Sequence, residues 1–203
     1  SVWFRGNFSG WEGWFEYAKI DRAAHKELLR NFLLGNPDLF RNGDVFTPCP
    51  ECENGGPGDP RQTGDSAGYN AFLIEEKKIA DNAFARQGKR IAVYPSMNGD
   101  IAREIITPAT VQSFGGTILI DHYVRTPEQF AADIKAIPKK LNARIGLGEF
   151  GAPIPDLQGD MTQAEQAAYV DSLFKAMYLE RAHIPVVNYW TLNGGSTELI
   201  NHT

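Results

Sequence analysis

Glu149 closes an apolar run, Arg144-Ile145-Gly146-Leu147-Gly148-Glu149, and Gly148 and Gly151 around it allow close approach of backbone or ligand. A second acid, Glu51, follows the run Asp44-Val45-Phe46, 98 positions earlier. Two carboxylates delivered by different strands to one shared opening are what glycosidic bond cleavage requires. One protonates the leaving oxygen, and the other attacks the anomeric carbon or activates water. A single carboxylate at the edge of a core also serves as an arginine's partner, so the reading rests on the pair. Glu53 is the competing acid. If Glu51 points into the opening from a regular strand, Glu53 lies beyond the strand end on the loop as a solvated charge, and Glu51 is preferred.

Two other motifs suggest chemistry that the residues do not support. Cys49 and Cys52, the only cysteines, form one C-x-x-C. A tetrahedral zinc site would need two more ligands that no second C-x-x-C or H-x-x-x-H supplies, and Pro48 and Pro50 prevent the helix start that acidifies a redox thiol. The pair reads as inert neighbours or a disulfide. Gly146-Leu147-Gly148-Glu149-Phe150-Gly151 matches G-x-G-x-x-G, but that motif must open a helix, and Ala152-Pro153-Ile154-Pro155-Asp156 does not continue into one. A carboxylate inside the loop would also repel phosphate. No cofactor is expected.

The elements that must position the acids are legible as alternation. Short β-branched and aromatic runs at Val2-Trp3-Phe4, Asp44-Val45-Phe46, Ile91-Ala92-Val93-Tyr94, Thr117-Ile118-Leu119-Ile120, Arg144-Ile145-Gly146-Leu147 and Val186-Val187-Asn188-Tyr189-Trp190 predict six strands. Between them, Asp21 caps a helix carrying Leu28, Leu29, Phe32 and Leu33 that Gly35 ends. A second helix spans 72–84, and Thr107-Pro108 opens a shorter one. Capping-box spacings at Thr126/Gln129 and Thr162/Glu165 start two more. Strand–helix alternation implies parallel strands and an α/β fold. The strands start at steps of 27 to 46 residues, around the roughly 31 per unit of an eightfold barrel. Each run ends in polar or aromatic residues: Arg5-Gly6-Asn7, Cys49-Pro50-Glu51, Ser96-Met97-Asn98, Asp121-His122-Tyr123, Glu149 and Trp190-Thr191. So many decorated strand ends fit a barrel mouth better than the single crevice of an open sheet. The expectation is one domain, residues 1–203, forming a TIM-type (β/α) barrel with six β/α units.

These residues resemble the clan of retaining β-glycoside hydrolases built on (β/α)8 barrels, whose acid/base follows the fourth strand and whose nucleophile follows the seventh. Gly148-Glu149-Phe150-Gly151 resembles the clan's nucleophile strand. Asp121-His122-Tyr123 is similar to the His-x-Tyr or His-Tyr ending of its sixth, and Trp190 resembles the tryptophan that ends its eighth beneath the sugar. Pro50-Glu51-Cys52 is similar to its Asn-Glu-Pro acid/base motif, with Pro50 for the asparagine and Cys52 for the proline. The resemblance implies Glu149 as nucleophile and Glu51 as acid/base, with Glu53 as alternative. In that register the six strands are the third to eighth, strands one and two have no counterpart in this sequence, and no helix follows the eighth. The chain is then a piece of a longer enzyme or a compact barrel completed by fewer units or by a partner chain. An edge left open at the first strand here would invite self-association.

Supporting roles follow from position. Arg5 can hold the carboxylate of Glu149 through charge-assisted hydrogen bonds, and Tyr123 can bond the same group. His122 can reach a substrate hydroxyl or the acid. Asn7, Asn98 and Asp100 are placed for sugar hydroxyls, although Asn98-Gly99-Asp100 also reads as a plain turn. Trp11 and Trp14, glycine-flanked in the loop after the first strand, can form a platform for pyranose faces, as can Trp190. Trp3 reads as core, and His25 and His183 as surface residues on helices.

The expected function is an endo-β-1,4-glucanase-like or related xylanase/mannanase-like hydrolase acting on a polysaccharide. The alternatives are a non-catalytic carbohydrate-binding relic and a divalent-metal barrel enzyme using Glu51, Asp121, His122 and Glu149; no metal is expected in the preferred reading. The net charge of -5 without a basic run disfavours nucleic acid, and no apolar stretch suits a membrane span. A polysaccharide substrate favours a secreted protein, although no signal peptide precedes Ser1.

Overall fold

β5 (Thr117–Asp121), buried at every position, runs through the middle of the molecule as a central parallel strand must, with cover on both faces. The structure is a computed structural model, and it describes residues 1–6, 8, 21–55 and 57–190. In chain order the strands are β1 (Trp3–Arg5), β2 (Val45–Thr47), β3 (Ala92–Val93), β4 (Ser96–Asn98), β5 and β6 (Arg144–Glu149). The helices are α1 (Arg22–Gly35), α2 (Pro60–Thr63), α3 (Ser66–Arg86), α4 (Gly99–Glu104), α5 (Pro108–Ser113), α6 (Pro127–Leu141), α7 (Pro155–Gln158) and α8 (Gln163–Leu179).

All pairings between named strands are parallel, in two sheets ordered β1-β2-β3 and β4-β5-β6. One segment joins them. Residues 92–98 pair first with β2, ending with Tyr94 N donating to Phe46 O at 3.0 Å, and then with β5, beginning with Leu119 N donating to Pro95 O at 2.9 Å. Pro95, which has no N–H to give, sits at the change of partner. Beyond β6 the expected last strand is reduced to one bridge, Leu147 to Val187, flanked by Leu147 N to Val186 O and Asn188 N to Leu147 O. Six lines of parallel backbone therefore follow one another in sequence order. The barrel expected from sequence is present as this parallel α/β arrangement, but it is not a closed ring among the described residues: β1 pairs with β2 alone.

Two clusters fill the interior. Under β1–β3, Phe40 stands at the centre of edge-on contacts with Phe4, Phe32, Phe46 and Phe84. Under β4–β6 the core is mainly aliphatic, with Ile118, Ile120, Ile145 and Leu147 packed against Ile134, Ile137 and Leu173 from the helices. The helix starts are capped at the expected residues: Asp21 and Thr126 accept from the backbone three residues on, and Thr162 with Glu165 closes a full capping box.

Three expectations need correction. The helix read as 72–84 begins at Ser66, because its weak formers Gly68 and Asn70 are fixed by neighbours: Asn70 donates to Ile105 O and accepts from Thr110 Oγ1 at 2.6 Å. The turn at Asn98-Gly99-Asp100 is the end of β4 and the start of α4. Gly99 is required there because a Cβ would meet His122 Nδ1 at 2.1 Å. The segment after Gly151 does form one helical turn, α7, with Pro155 in the first-turn position that tolerates a missing N–H.

Candidate active site

Arg5 ends β1, Asp121 ends β5 and Glu149 ends β6, so strand direction alone brings the three toward one end of the sheet. A bulge then puts both acids on one face. β5 and β6 run in step as far as Ile120 opposite Leu147, but Asp121 then faces Glu149 rather than Gly148. Skipping one residue reverses the side on which a side chain emerges, so without the bulge the two carboxylates would point to opposite faces. Gly148 is the skipped residue, and a Cβ on it would lie 2.2 Å from Asp121 Oδ1.

One cation serves both acids. The two terminal nitrogens of Arg5 donate to Asp121 Oδ2 and to Glu149 Oε1. A hydroxyl holds the remaining oxygen of each: Ser96 Oγ donates to Asp121 Oδ1 at 3.1 Å and Tyr123 Oη to Glu149 Oε2 at 3.0 Å. Burial by itself would weaken the hold of Arg5 on its proton, but Asp121 and Glu149 outweigh it and raise its pKa. Asp121 is pushed up to about 7, chiefly by burial, with Arg5 opposing and Glu149 adding to the rise. Burial, and then the charge of Glu149, lift the Tyr123 phenol well above its ordinary range, so it stays a donor.

Glu51 approaches from a different backbone. It was expected on a regular strand, but β2 ends at Thr47 and Glu51 stands four residues further on. There it adopts the left-handed conformation (φ 49°), an uncommon state for a side chain other than glycine, ahead of a single 3-10 turn at Cys52–Asn54. Its carboxyl is buried and accepts from Asn54 Nδ2 at 3.2 Å. Burial, followed by the charges of Asp121, Glu149 and Glu53, pushes Glu51 up to about 9 against the pull of Arg5. Glu53 is likewise not the solvated charge expected of it. It is 1% exposed and accepts from Tyr69 Oη at 2.5 Å and from Asn98 N at 2.7 Å, and burial raises its pKa against both bonds. Asp121 and Glu149 are among the groups that act on Glu51, whereas Asn98, Tyr69 and Arg61 act on Glu53.

The remaining candidates divide. Tyr123 and Arg5 are at the carboxylates as described. His122, expected at a substrate hydroxyl, is a correction: it alternates with Asp121 onto the other side of the strand, where Nε2 lies 3.1 Å from Asp133 Oδ2 and the ring packs on Phe130. Asn98 contributes its backbone N–H to Glu53, and Asp100 is ion-paired with Arg61 at 2.6 Å. Trp190 is half exposed, its backbone N donating to Phe150 O. Asn7, Trp11 and Trp14 lie outside the described residues. His183 is exposed as expected, but His25 is completely buried on the face of α1 that meets Glu76 of α3. Cys49 and Cys52 are joined in a disulfide. The four ligands considered for a divalent ion do not meet at one point, since His122 faces Asp133 while Arg5 occupies the space between Asp121 and Glu149. The residue that sequence reasoning undervalued is Asp121, considered only as a metal ligand. The signal was available in the pattern Asp121-x-Tyr123, two side chains that share a face.

No family model and no curated protein matches the chain. Among solved structures it is similar to a family 5 xyloglucanase from Paenibacillus pabuli, solved in complex with a ligand, with a TM-score of 0.63 at 14% identity over 100% of this chain and 71% of that one. It is also similar to a GH5-4 broad specificity endoglucanase from Bacteroides salanitronis, with a TM-score of 0.56 at 16% identity over 87% of this chain. The match spans 55% of the endoglucanase, little more than half its length. At these identities the likeness is one of fold, and that fold is the parallel (β/α) arrangement of family 5 glycoside hydrolases.

Proposed function

We propose that the chain carries the catalytic carboxylates of a β-glycoside hydrolase that works by double displacement on a β-1,4-linked polysaccharide, in the manner of an endoglucanase. The observation that carries this reading is the unequal treatment of two acids in one cluster. Glu149 is fixed through both oxygens, by Arg5 and by Tyr123, while Glu51 is buried, its pKa raised in part by the charges of Asp121 and Glu149, and it makes no hydrogen bond to Arg5 among the described residues. A carboxylate held on both oxygens is oriented for attack. Glu149 Oε attacks the anomeric carbon as the bond to the leaving oxygen breaks, and Glu51 gives that oxygen its proton. Glu51 then takes a proton from water, which attacks the same carbon and releases Glu149. Arg5 and Tyr123 keep Glu149 in place through both steps, and Asp121 holds the far side of Arg5. The kind of substrate is drawn from the fold shared with the xyloglucanase and the endoglucanase.

Hydrolysis of soluble β-glucan, xylan and mannan by the full chain, followed by proton NMR of the first-formed product, tests this directly. The β-anomer should appear first. Glu51→Gln should lower kcat by about 10²–10⁴-fold, and Glu149→Gln should abolish covalent trapping by a fluorinated glycoside. An α-anomer would replace double displacement by single displacement. Oligosaccharide binding without turnover in the parent, unchanged in Glu149→Gln, would make the site a binding site only.

A further inference from the structure

The C-x-x-C pair plays no part in the carboxylate chemistry, but the fold places it beside two other polar residues. α1 and α3 pack together, and each carries a polar group on its buried stripe: His25 in line with Leu29 and Leu33, and Glu76 between Phe72 and Ala80. Both are fully buried. His25 Nδ1 lies 3.2 Å from Glu76 Oε1, and Nε2 lies 3.1 Å from Cys49 Sγ. Phe8 N also donates to Nε2, at 3.4 Å. A ring nitrogen facing an N–H must present its lone pair, so the proton sits on Nδ1, directed at Glu76. This is the arrangement of a metal-binding histidine, whose second nitrogen donates to a carboxylate while the first points at the ion. Burying an imidazole and a carboxylate between two helices costs several kcal/mol per charged group unless they serve each other or a ligand, and Glu76 Oε2 has no hydrogen-bond partner among the described residues. Neither group touches the carboxylate site.

We propose that His25 Nε2 and the sulfurs of Cys49 and Cys52 form a binding site for a thiophilic divalent cation, zinc in the first instance, available when the disulfide is reduced. The three donor atoms already lie within 4.8 Å of one another, all buried. Around a tetrahedral zinc, with bonds of about 2.3 Å to sulfur and about 2.0 Å to nitrogen, the donors stand roughly 3.5–3.8 Å apart. The two cysteine Cα atoms are 5.4 Å apart, so opening the sulfurs to that spacing takes rotation about the side-chain bonds. The chemistry balances with a phosphine as reductant. The phosphine takes the oxygen of a water molecule to become its oxide, two electrons break the S–S bond, and the two protons of the water leave both sulfurs as thiols. The cation then displaces those protons to solvent, accepts the Nε2 lone pair, and keeps a fourth position for water. Glu51 lies between the two cysteines, so disulfide and cation would close the same loop. The site does not depend on the hydrolase reading.

The test uses the full chain, reduced by a phosphine and titrated with cadmium alone, followed by the ultraviolet charge-transfer band of cadmium thiolates. The band should saturate at one cadmium per chain in the reduced protein and be missing from the oxidised one. Cys49→Ser and Cys52→Ser should each remove most of it, and Glu76→Gln should weaken affinity by about 10–100-fold while leaving the band in place. Because His25→Ala removes a core residue, the nitrogen ligand is read on the unaltered protein instead: X-ray absorption of the zinc-loaded chain should count two sulfurs and one imidazole. A reduced chain with no band at one equivalent, a stoichiometry of one cadmium per two chains, or a zinc shell lacking imidazole would each overturn the site.

Discussion

On the β5 and β6 side of the carboxylate site, Asp121 and Glu149 face a guanidinium and a hydroxyl each. On the β2 side, Glu51 and Glu53 face amides and a phenol, and no cation lies within hydrogen-bonding distance of either among the described residues. The first pair is held by the cation it shares, although burial raises the pKa of Asp121 as well. The second is kept in place by burial, which favours the protonated form. The difference shows how one site can hold four acids: Arg5 balances one half, and in the other half burial raises the pKa of both acids. It also separates a group suited to attack from one suited to donate a proton, because an acid that shares no cation has more use for its proton than for its charge.

Removing the cation is the most severe way to break this contrast. Arg5→Met leaves the buried Asp121 without its cation beside the half-buried Glu149, and truncating one partner of a buried ion pair costs about 3–5 kcal/mol. In a chain of this size the melting temperature should fall by roughly 10 °C. Catalysis should be lost along with the orientation of Glu149. A second change, Asp121→Asn, made in the Arg5→Met background, should return a good part of the stability, because one of the two stranded charges is gone. A strictly additive double-mutant cycle would mean that the two residues are not coupled through Arg5.

Asp121→Asn alone sharpens the comparison through pH. The pKa of Asp121 is raised from 3.8 to about 7 in the fold, so between those values the folded chain keeps a proton that the unfolded chain has lost. The unfolded state then binds fewer protons, and stability falls as pH rises from about 4 to about 7 and stays lower above it. Asparagine has no proton to lose, and its amide oxygen still accepts from Arg5. The variant should therefore gain on the parent as pH rises, with a difference in melting temperature of a few degrees at about pH 8 that shrinks toward pH 4. A difference independent of pH would show that Asp121 carries its charge in the fold without cost.

How much of this was legible in the sequence depends on how local its cause is. The buried strands announce themselves because parallel strands covered on both faces are continuously apolar, as in Thr117-Ile118-Leu119-Ile120. Caps at Asp21, Thr126 and Thr162 are equally local. The left-handed Glu51 is not, since nothing in Pro50-Glu51-Cys52 specifies it: the backbone there answers to the disulfide and to the turn that follows. The choice between Asp121 and His122 as the inward residue was one of strand phase, and the bulge at Gly148, which sets the matching phase on β6, exists only in the pairing of two strands. His25 and Glu76 could have been found. Each sits at helical spacing within an apolar stripe, His25 four residues before Leu29 and Glu76 four after Phe72, and two polar groups on facing stripes are a reason to look for each other.

The smallest expected effect lies on the β2 side, at Tyr69. Its hydroxyl gives Glu53 one of that residue's two hydrogen bonds, the backbone N–H of Asn98 giving the other. Tyr69→Phe keeps the ring, which is fully buried against Phe72, and removes only the donor. A buried acceptor that loses one of two partners costs about 1–3 kcal/mol, and the low end applies here because Glu53 keeps the Asn98 bond. The melting temperature should fall by only a few degrees, and kcat should change less than in Glu51→Gln, since Glu53 answers to Asn98 and Tyr69 rather than to Asp121 and Glu149. If Tyr69→Phe instead lowered kcat as far as Glu51→Gln does while the chain stayed folded, Glu53 would replace Glu51 as the proton donor. The line drawn between the two halves of the site would then have to pass between Glu51 and Glu53.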